Sequence, residues 1–144
     1  PLVYRTPCID VTVKLVMTNT ASIGPYRGAG REAAALVMER LVDAAARETG
    51  RDPIALRRQN MIPTSAMPYR SPSGRLYDSG DFEAVLDKAL ALADWDGFSM
   101  RAEESRAKGK LRGLGISCFL ECVGGLLFES ADLRFADDGG IDLV

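Results

Sequence analysis

From Ile9 to Met17 the odd positions are apolar (Ile9, Val11, Val13, Leu15, Met17), with Asp10, Thr12 and Lys14 between them. A period of two predicts a strand with one buried face. Val16, on the polar side, predicts partial cover of the second face. From Arg31 the period lengthens. Leu36, Val37, Leu41, Ala44 and Ala45, with Ala33 and Ala34 below them, recur at spacings of three and four and predict a helix over 31–49. Six alanines in this run favour helix intrinsically. Gly50 stands where a left-handed cap closes such a helix.

Asp52-Pro53 opens a second, shorter helix, with Asp52 as N-cap and Pro53 at the first helical position, running to Asn60. Pro63, Pro68 and Pro72 then mark an ordered loop that ends near Gly74. A third helix is expected over 82–93, capped by Ser79 or Asp81, with Phe82, Val85, Leu86, Ala89, Leu90 and Ala93 as its apolar face. Trp95 and Phe98 read as anchors, and the charged run 101–110 as an exposed helix. Leu114, Ile116, Cys118 and Leu120 alternate as a further strand, followed by a break at Gly124-Gly125. Runs 126–135 and 141–144 flank Asp137-Asp138-Gly139-Gly140, a hairpin signal. The expected class is α+β: a strand, three to four helices, then an antiparallel β meander, in one segment spanning 1–144.

Between the first strand and the first helix lies Ile23-Gly24-Pro25-Tyr26-Arg27-Gly28-Ala29-Gly30-Arg31. Glycines here open backbone conformations closed to other residues and permit close approach by a ligand. A glycine turn feeding a helix start aims N–H groups and the positive end of the helix dipole at one spot. Arg27 and Arg31 bracket that spot with planar donors suited to phosphate, carboxylate or a metal-bound oxygen. The same residues also read as a tight strand-to-helix connection with both arginines in solvent or paired to acids. The stretch is neither a P-loop, which needs Lys-Ser/Thr after its last glycine, nor Gly-x-Gly-x-x-Gly, whose third glycine is missing. Tyr26 can stack on a flat ligand or cap the core.

Composition narrows the partners. A net charge of −2 over 144 residues gives no case for nucleic acid or anionic membrane. No apolar run reaches the length of a membrane span. The absence of histidine removes Ser-His-Asp and Cys-His catalysis and any histidine-ligated metal. Cys8, Cys118 and Cys122 are odd in number, and no signal peptide is visible, which fits a reduced cytoplasmic setting. Cys118-x-x-x-Cys122 is not a zinc or iron–sulfur spacing, so no metal ligand is expected in this chain. Glu121, beside the glycine break, can face a cleft, though a lone carboxylate without a partner makes a weak case for acid–base work. The chain opens at Pro1 and stops on an apolar strand, and reads as a piece cut from a longer protein.

Five separated stretches carry a family resemblance: Tyr26–Arg31, Met38-Glu39-Arg40-Leu41, Arg57-Arg58-Gln59-Asn60-Met61-Ile62, Tyr77-Asp78-Ser79-Gly80-Asp81-Phe82 and Arg112-Gly113-Leu114-Gly115-Ile116. Together they resemble the molybdenum-binding large subunit of the xanthine dehydrogenase and aldehyde oxidase family, nearest its carbon monoxide dehydrogenase-like members. The resemblance implies a segment of a molybdopterin-binding domain whose glycine loop borders the molybdenum centre. Arg27 is then expected to stabilise charge near the metal and Tyr26 to line the substrate pocket. Gly28, Ala29, Gly30 and Arg31 are expected to approach the cofactor. The implied reaction is hydroxylation of an aldehyde or heterocycle carbon with oxygen from water. The implied cofactors are molybdenum–molybdopterin in its cytosine dinucleotide form here, and iron–sulfur clusters and FAD on partner subunits or domains.

Two departures from that family stand out. Its copper-dependent members place a cysteine right after the loop arginine, where this chain has Gly28, so copper is not expected. The family usually has Pro and then Glu or Gln after the residue at Arg31, whereas this chain has Glu32 and Ala33. The family's catalytic glutamate and its Gly-Gln-Gly motif lie downstream of these residues, so the segment alone is expected to be inactive. Two other readings stand beside this one. The loop can serve a stand-alone anion- or nucleotide-binding module, and the sheet edges can serve a non-catalytic scaffold.

Overall fold

The N-terminal segment is pinned by backbone pairing to the end of the second helix. Tyr4 forms an isolated antiparallel bridge with Met61. Ile62 N–H donates to the Val3 carbonyl at 3.0 Å, and Arg5 N–H to the Asn60 carbonyl at 2.8 Å. In this computed structural model, residues 3–22, 24, 26–121 and 130–143 are described. The elements in order are α1 (Arg31–Thr49), α2 (Pro53–Asn60), a one-turn 3₁₀ helix (Thr64–Ala66), β1 (Tyr69–Arg70), β2 (Leu76–Tyr77), α3 (Phe82–Leu92), α4 (Phe98–Ala107), β3 (Leu133–Phe135) and β4 (Ile141–Leu143).

Local chemistry explains the helix limits. Gly50 ends α1 in a left-handed conformation, φ 65°, its N–H donating to the Arg47 carbonyl at 3.3 Å. Asp52 accepts the Ala55 N–H at 2.7 Å with Pro53 just inside α2. Asp81 does the same for α3, accepting the Ala84 N–H at 3.0 Å. Each such cap is worth about 1 kcal/mol. Between α2 and α3 the proline-rich loop is ordered around a cis Met67–Pro68 bond and the short β1–β2 ribbon. The Asp137–Gly140 turn joins β3 and β4 as expected, pairing Leu133 with Leu143 and Phe135 with Ile141.

The sheet expectations are met only in part. Residues 9–17 form no strand: Leu15 is 96% and Met17 99% exposed. Residues 113–120 likewise carry no ladder, although Ile116, Cys118 and Leu120 pack against the core. An alternating run becomes a strand only when a neighbour supplies the other half of its hydrogen bonds, and no described segment pairs with either run. The described sheets are therefore two two-stranded ribbons rather than a three-stranded meander. The expected break at Gly124-Gly125, Cys122, the start of the 126–135 run, and Ile23 and Pro25 in the loop lie outside the described residues.

The core is Val3, Tyr4, Ile54, Met61 and Leu86, with Met38, Val42, Phe82, Leu90 and Trp95 packed around it. The face that α1 buries differs from the expected stripe. Ala35, Glu39 and Ala46 are buried, while Leu36, Val37 and Leu41 stay exposed. The cause is a charge cluster. Arg57, fully buried, donates from Nε to Glu39 Oε2 at 3.0 Å and from Nη2 to Asp43 Oδ1 at 2.8 Å. Its Nη1 reaches the Pro53 carbonyl at 3.2 Å. Tyr4 Oη donates to Glu39 Oε1 at 2.5 Å, so both Glu39 oxygens are satisfied. This cluster turns α1 so that Glu39 faces inward and the leucine side faces out.

The cluster also sets an alkaline limit. Burial and then the hydrogen bond to Glu39 push the Tyr4 hydroxyl well above its ordinary value of 10.0. Burial, and then the Glu39 charge, raise the Cys118 thiol above 9.0. Both groups are neutral when folded and lose protons more readily when unfolded, so stability is full below these ordinary values and falls as pH rises through them. Urea midpoints of the protein are expected to decline from about pH 9 upward. Tyr4→Phe is expected to flatten that decline; an identical slope in the variant counts against it.

Candidate functional site

The glycine turn at the head of α1 has three successive residues at positive φ: Gly28 at 94°, Ala29 at 45° and Gly30 at 87°. Two internal bonds fix it. Ala29 N–H donates to the Tyr26 carbonyl at 2.7 Å, and Arg31 N–H to the Gly28 carbonyl at 3.0 Å. Ala29 is a non-glycine residue in the left-handed region, a conformation that costs roughly 1–2 kcal/mol and collects at functional sites. Gly30 is the N-cap and supplies no side-chain acceptor to the first turn of α1, where the Arg31 N–H is taken up by the Gly28 carbonyl. A Cβ on Gly28 would sit 2.6 Å from Glu32 Oε2, which places the Glu32 carboxylate directly over the bare Gly28 backbone.

This turn borders a cleft of about 740 Å³, whose charged lining is Arg27, Arg31, Glu32 and Glu121. Gly28 lines it as well, with Leu36 and Phe119 among its apolar walls. Arg31 Nη1 is ion-paired with Glu121 Oε1 across the cleft wall. A second cleft of about 700 Å³ lies against the same pair, and there Arg31 and Glu121 meet Arg75, Tyr77, Asp78 and Ser79. A smaller cleft of about 450 Å³, walled by Arg58, Asp87 and Trp95, holds none of the loop residues.

Of the residues expected at a site, Arg27, Gly28 and Arg31 come together in the cleft. Tyr26 is 81% exposed and stands outside its lining, and Ala29 and Gly30 shape the turn without lining the cavity. Glu121, which the sequence allows to face a cleft, lines both cavities. Sequence reasoning missed Glu32 as a cleft residue. Its signal was present: an acid at the first turn of a helix, four residues after a glycine that must stay open. Among the described residues no group of three or more His, Cys, Asp or Glu side chains is placed to hold a metal ion. No described helix is long and apolar enough to cross a membrane.

Four of the five sequence stretches sort into two clusters. Glu39 and Arg57 join the 38–41 and 57–62 stretches through the buried ion pair. Arg31 brings the 26–31 turn to Tyr77–Ser79 and to the segment that follows 112–116. Residues 1–61 match the family model of the molybdopterin cofactor-binding domain. The chain belongs to the molybdopterin-binding large-subunit family.

It is 35% identical to the nicotine 6-hydroxylase large subunit of Paenarthrobacter nicotinovorans over 85% of this chain and 15% of that protein. It is 34% identical to the carbon monoxide dehydrogenase large chain of Hydrogenophaga pseudoflava, over 84% of this chain and 16% of that one. The solved carbon monoxide dehydrogenase of Oligotropha carboxidovorans superposes with a TM-score of 0.50 at 33% identity, covering 64% of this chain and 11% of that one. The chain thus spans under a fifth of the length of these relatives. Another relative, 28% identical over 96% of this chain and 18% of its own length, is subunit gamma of the 6-hydroxypseudooxynicotine dehydrogenase complex of P. nicotinovorans.

Proposed function

We propose that this segment forms one wall of the active site of a cytoplasmic molybdenum hydroxylase, with the 27–31 turn beside the cofactor. The substrate is a small molecule such as an aldehyde or heterocycle, and water is the oxygen source. The observation that carries this reading is the cleft in which Arg27, Gly28 and Arg31 converge in a chain of the molybdopterin-binding family. The fit with such a group is chemical. The Arg27 guanidinium offers planar donors at the cleft, and the Gly28 backbone, which carries no side chain, is open to close approach once the flexible Glu32 side chain over it swings aside.

When bound, the cofactor supplies the oxygen-transfer chemistry and takes up two electrons, which iron–sulfur and FAD subunits receive. The chain's own residues position and polarise. Arg27 holds fixed positive charge at the cleft, which favours any step in which negative charge grows there. The two internal bonds of the turn keep Gly28 and Arg27 in place without help from the ligand. Gly28 carries no side chain, so the position after Arg27 offers copper no ligand in this reading.

The test is Arg27→Met in the full-length large subunit assembled with its partners. Turnover of a panel of aldehydes and N-heterocycles with a dye acceptor is expected to fall about 100- to 1,000-fold, the loss seen when one charge-stabilising donor is removed. Molybdenum content stays near wild type. A variant that retains its molybdenum and wild-type turnover overturns the assignment.

A further inference from the structure

We propose that Cys118 is a positioning residue for the reaction at the glycine turn: set against the core, it holds residues 117–121 as the cleft wall opposite Arg27. The proposal rests on the reading above that this cleft is part of the active site. Ser117, Phe119, Leu120 and Glu121 all line that cleft. Among the described residues, no backbone hydrogen bond ties residues 112–121 to another segment. A stretch without a ladder is placed by its side chains.

Contacts of three kinds do the placing. At the start, Arg112 Nε donates to Ser105 Oγ of α4 at 3.0 Å. At the end, Glu121 is ion-paired with Arg31. Arg112 and Glu121 are both exposed, so water weakens each of these end contacts. Between them the side chains alternate. Ile116, Cys118 and Leu120 are half-buried and pack against the core, while Ser117 and Phe119 stand exposed. Cys118 meets the buried charge cluster, lying beside the Tyr4 hydroxyl and the Arg57 guanidinium. Those two groups are themselves fixed by their hydrogen bonds to Glu39. Behind the wall is a cleft of about 300 Å³ whose lining includes Val3, Met61, Leu86, Ile116 and Cys118. Unfilled space supplies no opposing contacts, so the wall can shift into it once the middle contact is cut.

The experiment is steady-state kinetics on the molybdenum-loaded complex, with the aldehyde and N-heterocycle panel and dye acceptor described above. Cys118→Ala is expected to raise KM about tenfold, with kcat and molybdenum content near wild type. A wall that only holds the guest contributes equally to ground and transition states, so its displacement appears in KM. Tenfold is about what a guest loses when part of its contact with one large apolar side chain, Phe119, is forfeited. Cys118→Ser keeps a small polar group beside Tyr4 and should stay within about threefold of wild type. Ile54→Val is a packing loss in the same core, away from the cleft, and should leave KM unmoved. If Cys118→Ala does not load molybdenum, Cys118→Val decides, because added bulk at the same spot should displace the wall and raise KM as well.

An unmoved KM in whichever of these two variants loads overturns the proposal. So does an equal rise in Ile54→Val, or a KM in Cys118→Ser as high as in Cys118→Ala. Wild type that oxidises no member of the panel sinks the active-site reading and the positioning role with it. Arg27→Met keeps the two readings apart. A KM that responds to Cys118 in a complex whose Arg27→Met turnover is normal sinks the cofactor-side assignment alone. Lost turnover in Arg27→Met with a KM indifferent to Cys118 sinks the positioning role alone.

Discussion

Glu39→Ala is expected to destabilise the large subunit by about 3–5 kcal/mol, read as a fall in urea midpoint and in soluble yield. The reason is the position of Arg57, whose surface is wholly buried and whose head group is held by Glu39 and Asp43. Burial pulls the Arg57 guanidinium down, yet the Asp43 hydrogen bond and the Glu39 charge outweigh it and hold Arg57 above its ordinary value. Removing Glu39 leaves that charge in the interior with Asp43 alone, and it also strips the acceptor from the buried Tyr4 hydroxyl. Asp43 is 39% exposed at its side chain, so Asp43→Ala should cost under about 1 kcal/mol. The double variant Glu39→Leu/Arg57→Met should recover most of the loss, since an apolar pair of similar volume carries no desolvation cost. An unchanged midpoint in Glu39→Ala would show that water already reaches Arg57.

That cluster explains why part of the fold was legible in the sequence and part was not. The limits of α1, α2 and α3 follow from local chemistry: Gly50, Asp52-Pro53 and Asp81 each act within four residues of themselves. The orientation of α1 does not. Leu36, Val37 and Leu41 make the stronger apolar stripe, yet the buried face carries Glu39, because Arg57 arrives from another helix eighteen residues on. Hydrophobic periodicity ranks Glu39 as a solvent residue and has no means of seeing its partner. The strand readings of 9–17 and 113–120 fail for a related reason: alternation specifies which side chains share a face, while the ladder depends on a segment elsewhere.

The candidate site was legible as a list of residues and illegible as a cavity. Arg27, Gly28 and Arg31 were marked by glycine spacing and charge, and they do share a cleft. The opposite wall comes from residues 117–121, about ninety positions later, and from Glu32, which stood out in the sequence only as a departure from the family pattern. Tyr26, adjacent in sequence to Arg27, turns outward instead. Neighbours along a tight turn diverge in space, so sequence adjacency is weak evidence for a shared pocket. The convergence of the separated stretches around Glu39–Arg57 and Arg31–Glu121 gives those stretches a physical reason to occur together.

Gly28→Ala is expected to cut turnover by about 100-fold while leaving the complex assembled, because displacing a positioning element by an ångström carries a loss of that size. Two separate effects meet at this residue. The backbone is at φ 94°, beyond the left-handed well that other residues reach, which adds roughly 1–3 kcal/mol of strain. The new methyl would also lie 2.6 Å from Glu32 Oε2. The contacting Glu32 carboxylate is the far end of a flexible side chain and can swing away. Gly28→Ala/Glu32→Ala separates the two effects. It removes the contact and leaves the φ strain, so it should regain only a small part of the lost turnover. Full recovery in the double variant would mean that steric contact alone constrains the turn. Wild-type turnover in Gly28→Ala itself would mean that no ligand approaches this backbone closely, and the turn would then be only a strand-to-helix connection.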